Sequence, residues 1–182
     1  RLADDLHAAC SIAIPDGSDM LIIKRAQCES AMLIVNLNVG TRLPIAYSSF
    51  GAAYVAALPT AQRDALMKTL KSRHARNWPT IQRNLTDAIT SYEKKGYIIA
   101  GGTHHPDINT AAIPIASEHF GHIVTINSGG PASAFSVKTL EKEVVPRLMA
   151  IAHMIKDSLY PGNDRDRKAE RGFARVRHPR RV

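Results

Sequence analysis

The chain has 182 residues, 45% of them apolar, with two cysteines and a formal net charge of +8. One domain of this length buries roughly 70% of its extended-chain surface, so neither a disulfide framework nor a zinc knuckle is needed to hold it. No apolar run reaches the ~20 residues of a membrane span, and no signal peptide is recognisable. The excess charge is concentrated at one end. Residues 161–182 carry eight Lys/Arg against three acids, whereas residues 1–160 carry 16 basic against 13 acidic side chains. The tail is poor in apolar residues and is expected to be a disordered, solubilising end, with contact to nucleic acid phosphates as the alternative. A reducing cytoplasm is the expected compartment. Because the chain opens at Arg1 and not Met, a further segment is expected upstream.

In chain order, Leu2, Leu6 and Ala9 predict a short opening helix. Cys10–Pro15 and Met20–Arg25 read as a strand pair around Asp16-Gly17-Ser18-Asp19, four residues that tolerate tight turns. Ala31–Val35 reads as a third strand. Phe50–Ala57 predicts an Ala-rich helix ending at Leu58-Pro59. Thr60 is the expected N-cap of the next helix, whose stripe is Ala61, Ala65, Leu66 and Leu70. A helix after Trp78-Pro79 carries Ile81, Leu85, Ala88, Ile89 and Tyr92, with Lys94, Lys95 and then Gly96 as stop signals. Tyr97–Ala100 reads as a strand broken by Gly101-Gly102. Thr110–Ile115 and Ile123–Asn127 are two more strands, joined by a turn at Glu118–His122. Ser136 caps a final helix with the stripe Leu140, Val144, Leu148, Ile151, Ile155 and Leu159, which Pro146 should bend or restart. The order gives an α+β fold of one domain over residues 1–160, an antiparallel sheet carrying helices.

Motifs of common chemistries are missing. There is no G-x-S-x-G elbow, no Walker loop and no dinucleotide glycine fingerprint. His104 and His105, with Asp107 nearby, resemble the start of a metal or acid–base site, but no third strong ligand follows at motif spacing and nothing near them is an activated nucleophile. His119 and His122 flank a turn, where solvent exposure is the default. The chain is therefore expected to be no enzyme and to hold no metal or cofactor. The helices at 60–72 and 80–95 are too far apart for a helix-turn-helix.

Four stretches in order resemble the effector domain of the IclR family of bacterial transcription regulators. They are Gly40–Ala53 (GTRLPIAYSSFGAA), the helix end Lys95-Gly96-Tyr97, Asn109–Ala116 (NTAAIPIA) and Ile123–Ala132 (IVTINSGGPA). The resemblance implies a GAF-like sheet flanked by helices, a ligand cavity on one side, and homodimers or homotetramers. It further implies a winged helix-turn-helix before Arg1 whose operator binding responds to a small organic effector through a change of oligomer geometry. Carried over by position, the cavity is lined by Met32 and Val35, by Ser49 and Phe50 at a small-residue turn, by Ala100, Asn109 and Thr110, and by Asn127 and Gly129. Three departures stand out. The acidic run that many members have after Gly-Tyr is here Ala100–His105, Asn109-Thr110 replace an Arg-Cys, and Phe50 is bulky where small residues are common. His104 and His105, if protonated, favour an anion, and Asn127 both donates and accepts hydrogen bonds. The expected ligand is thus a carboxylate or aromatic acid. Two rival readings are a stand-alone GAF-type sensor and an enzyme using His104, His105 and Asp107.

Overall fold

A computed structural model of the chain describes residues 2–28, 37–102, 106–117 and 122–159. A short helix α1 (Leu2–Leu6) leads into a hairpin of β1 (Ala9–Asp16) and β2 (Asp19–Gln27). Asp16 pairs with Asp19 across a two-residue turn. Gly17 there has φ 65, which a residue with a Cβ adopts only with strain. The remaining strands are β3 (Arg42–Pro44), β4 (Ile98–Gly101), β5 (Ile108–Ser117) and β6 (His122–Pro131). They form one antiparallel sheet in the order β3-β2-β1-β6-β5-β4. The predicted α+β architecture of an antiparallel sheet between helices is the observed one.

Side chains alternate between the two sheet faces, and each face has its own core. One face carries Cys10 of β1, Ala111, Ile113 and Ile115 of β5, and Val124 and Ile126 of β6. A C-terminal helical run covers it: α5 (Val137–Thr139), a π-helical stretch Leu140–Val144 and α6 (Val145–Leu159). Ser136 caps this run through Oγ, which accepts the Thr139 amide at 3.1 Å. Pro146 is the second residue of α6, so it does restart the helix. Its ring would clash with the carbonyl four residues back in a regular α-helix, and the wider π turn lies there. Leu140, Val144 and Leu148 of the predicted stripe are buried.

The opposite face is covered by α2 (Ser49–Ala57), α3 (Thr60–Arg73) and α4 (Trp78–Lys95). Met20 and Ile22 of β2 and Ala13 of β1 meet Phe50, Val55, Ile81 and Leu85 there. Next to them, Ile98 and Ala112 meet Ala53, Ala56 and Ala88. Helix α2 lies between the sheet and α4 and is buried on most sides, in keeping with its run of small residues. A Cβ on Gly51 would strike the backbone of Ile45, so the helix starts in direct backbone contact with the preceding loop. Gly96 ends α4 in the left-handed region, φ 79, with its N–H on the Tyr92 carbonyl.

Several local expectations fail for identifiable reasons. Ala9 opens β1 and does not continue α1. Thr60 is the first residue of α3 and makes no capping bond; Pro59 precedes it. Ala61 and Ala65 are exposed, because α3 turns Leu66, Met67 and Leu70 inward. β3 falls in the Gly-Thr-Arg-Leu-Pro segment, too short for an alternation signal. The predicted strand 31–35, most of the turn at 118–122 and the tail 161–182 lie outside the described residues.

Candidate functional site

The face under α2 is mainly apolar, with Thr125 donating to the Ala13 carbonyl at 3.3 Å, and one linked line of polar side chains crosses it. Ser11 of β1 lies directly opposite Asn127 of β6 and, on its other side, opposite Arg25 of β2. The Arg25 guanidinium donates through Nη1 to Ser11 Oγ at 3.1 Å. Asn127 Nδ2 donates to Ser49 Oγ, in the first turn of α2, at 3.2 Å. Arg25, Ser11, Asn127 and Ser49 thus form a polar row crossing three strands and ending on a helix. Ser11 and Ser49 are buried, while Arg25 and Asn127 are half-buried.

The next rung toward the sheet's end brings Thr110 opposite both Gly129 and Ala100. Ala112 packs under α2, so Thr110, two residues earlier, shares that face. Gly129 permits a close approach, since a Cβ there would strike the Asn109 carbonyl and the Thr110 backbone. Beside this rung, a groove of about 360 Å³ opens between α2, α4 and β4, lined by Ser48, Ala52, Asn84, Asp87, Ser91 and Ala100 among others.

The sequence-predicted residues therefore divide. Ala100, Thr110, Asn127 and Gly129 share the α2 face of the sheet, and Ser49 approaches it from α2. Phe50 is 1% exposed and belongs to the core between α2 and β2, a packing position. Asn109 points to the opposite face, where its Nδ2 donates to the Phe135 carbonyl at 3.0 Å. It ties β5 to the loop before α5 and does not join the row. Met32, Val35, His104 and His105 lie outside the described residues. Asp107 is exposed. No group of three or more His, Cys, Asp or Glu side chains with metal-binding geometry occurs among the described residues.

The sequence reading passed over Ser11 and Arg25. Plain alternation from Met20 and Ile22, both buried, puts Arg25 on the other face. A β-bulge intervenes: Ala13 pairs with Ile22 but Ile12 pairs with Lys24, so Ile23 is the extra residue. That one-residue slip turns Arg25 onto the α2 side. Burial lowers the pKa of its guanidinium, yet an arginine stays charged at neutral pH. Arg25 has no carboxylate partner among the described residues; the surface pairs are Arg42–Asp16 and Lys95–Glu141. On the opposite face Cys10 donates to Ser128 Oγ at 3.3 Å, and burial pushes its thiol pKa up, the mark of an inert packing thiol.

Comparison with known proteins gives this geometry a setting. The family described as "Bacterial transcriptional regulator IclR C-terminal" matches residues 1–157. The chain belongs to the IclR family. The family's sheet-and-helix domain recurs in a regulator of this family from Brucella abortus, 31% identical, with a TM-score of 0.82 over 87% of this chain and 60% of that one. The Pca regulon regulatory protein of Pseudomonas putida is 26% identical over 162 residues, 88% of this chain and 55% of that protein. The inducer-binding domain of the transcription factor PobR from Acinetobacter, solved with 3-hydroxybenzoic acid, shares the fold at 14% identity and a TM-score of 0.64, over 85% of this chain and 93% of that one. This IclR-family chain spans about half the length of the curated relatives it matches, both of them regulators. No helix among the described residues is long and apolar enough to cross a membrane.

Proposed function

We propose that this domain senses a small organic acid on the α2-facing side of its sheet and passes the binding energy to operator recognition by a winged helix-turn-helix in the parent regulator. The observation that carries the reading is the linked polar row Ser11–Asn127–Ser49, with the Arg25 guanidinium at its end, set among the apolar side chains of the α2 face. Such groups oppose burial unless they are paired with each other or with a ligand. A mostly apolar wall with a few placed polar groups is the usual design of a small-molecule site. Ser49, Thr110 and Asn127 offer neutral hydrogen bonds, and the partner of the Ser49 hydroxyl is the Asn127 amide, not a base that would activate it as a nucleophile, so the site in this reading binds without transforming. The neighbouring example of an aromatic acid bound to the same fold in PobR supports an acid as the ligand class.

Residues 1–160 form the sensing and self-associating unit in this reading, working in the cytoplasm, and the basic tail takes no part. Ligand binding favours one arrangement of subunits over another, by no more than the ligand's difference in affinity for the two. Calorimetry with a carboxylate panel tests the site: Thr110→Val with Asn127→Leu should weaken binding at least tenfold, and unchanged affinity removes these residues from the site. Sedimentation of the full-length regulator with and without the bound acid tests the oligomer step, where an unchanged distribution and shape would reject it.

A further inference from the structure

We propose that Arg25 is the anion anchor of this site, holding the ligand's carboxylate at the β1–β2 end of the polar row. The inference rests on the effector-site reading above and assigns the group that reads the charge. Three observations carry it. The bulge at Ile23 turns Arg25 onto the ligand face, and bulges commonly re-aim one side chain beside a functional site. The guanidinium is half-buried, with one donor used on Ser11 and no acid facing it among the described residues. And no fully buried side-chain nitrogen or oxygen lacks a partner among the described residues, so the unused Nε and Nη2 donors of Arg25 reach accessible space.

The geometry defines what fits. Directly opposed side chains on neighbouring strands have Cβ atoms roughly 4.5–5.5 Å apart, so a guanidinium resting on Ser11 sits within a small molecule's length of the Asn127 amide. Arginine presents a planar fork of N–H groups that matches a carboxylate with two parallel bonds. The acid group therefore lies on the free Nε and Nη2 edge of Arg25, beside Ser11, and the body of the ligand runs along the sheet past Asn127 toward Thr110 and Ala100. Asn127 reads a hydroxyl or carbonyl on that body, since its carbonyl oxygen and second N–H remain available. Matched charge and polar reading at two ends favours a compact monocarboxylate with a distal polar substituent over a neutral or cationic metabolite.

The test titrates the 182-residue chain by calorimetry with benzoate, 3-hydroxybenzoate and adipate, and with benzamide and 3-hydroxybenzamide as uncharged counterparts. The wild type should prefer each aromatic acid to its amide. Arg25→Met should weaken acid binding roughly ten- to a hundredfold and leave the amides unchanged, and Arg25→Lys should recover part of the loss. An Arg25→Met chain that binds the acids like wild type overturns the anchor. If Asn127→Leu still weakens them, the effector site stands without Arg25; if neither change matters, the site itself falls. A wild type that binds amide as well as acid, or none of the acids, also overturns the anchor.

Discussion

The two faces of the sheet come from the same strands and the same alternation, yet they are built differently. Beneath α5 and α6, β1, β5 and β6 present Cys10, Ile113, Ile115, Val124 and Ile126, and a buried polar pair there, Cys10 with Ser128, closes on itself. Beneath α2, the same strands present Ser11, Thr110 and Asn127, with Arg25 beside them. A charged, half-desolvated guanidinium opposes folding relative to an apolar side chain of the same volume. Both faces therefore carry an apolar core, and the α2 face carries in addition a charged group that its packing does not need.

Mutations sharpen that contrast. Leu148, fully buried under the α6 face, should cost about 2–5 kcal/mol when truncated to alanine, read by chemical unfolding, with ligand affinity unchanged in the folded fraction. Ser128→Ala removes the acceptor of the Cys10 thiol and should cost about 0.5–1.5 kcal/mol, again without an effect on binding. Asn127→Leu together with Ser49→Ala replaces both partners of a hydrogen bond on the α2 face, so stability should stay within about 1 kcal/mol while acid binding falls. A large loss of stability in this double variant would break the comparison, since the polar row would then be structural.

The smallest effect belongs to the surface pair that joins the two layers, Lys95 with Glu141 at 2.8 Å. The hydrogen bond and charge of Lys95 hold the Glu141 carboxyl below its ordinary pKa. The contribution is thus present above the ordinary carboxylate range and is lost as pH falls through the depressed value. The lysine, raised by the same contact, keeps its share below the ordinary amine range and loses it as pH rises. Melting curves of wild type and Glu141→Gln should converge in acid and separate slightly at neutral pH. Because both side chains are exposed, raised salt should close that gap.

Much of this was legible from residue spacing. The stripe Ile81, Leu85, Ala88 and the stop at Gly96 place α4, the Asp16–Asp19 turn places the hairpin, and Pro146 marks where the last helix restarts. These signals work because they are local: a cap, a turn or a period of 3.6 is set by neighbours in sequence. What stayed hidden depends on distant partners. Ala61 and Ala65 satisfy a helical stripe, but which face of α3 meets the core is decided by α4 and the sheet. Asn109 carries a suitable side chain and yet faces the wrong way, because β5 starts at Ile108 and its register is set by β6. Arg25 was missed because alternation has no way to announce a bulge, which shows itself only in pairing with β1.

The contact between Gly51 and Ile45 has a mechanical consequence. Side chains absorb small displacements by changing rotamer, but here main chain rests on main chain, with no side chain between them to give way. The first turn of α2, which holds Ser49 against Asn127, and the loop leaving β3 must therefore shift as a single piece. The packing thus links the helix turn beneath Ser49 directly to the sheet's outer strand, β3.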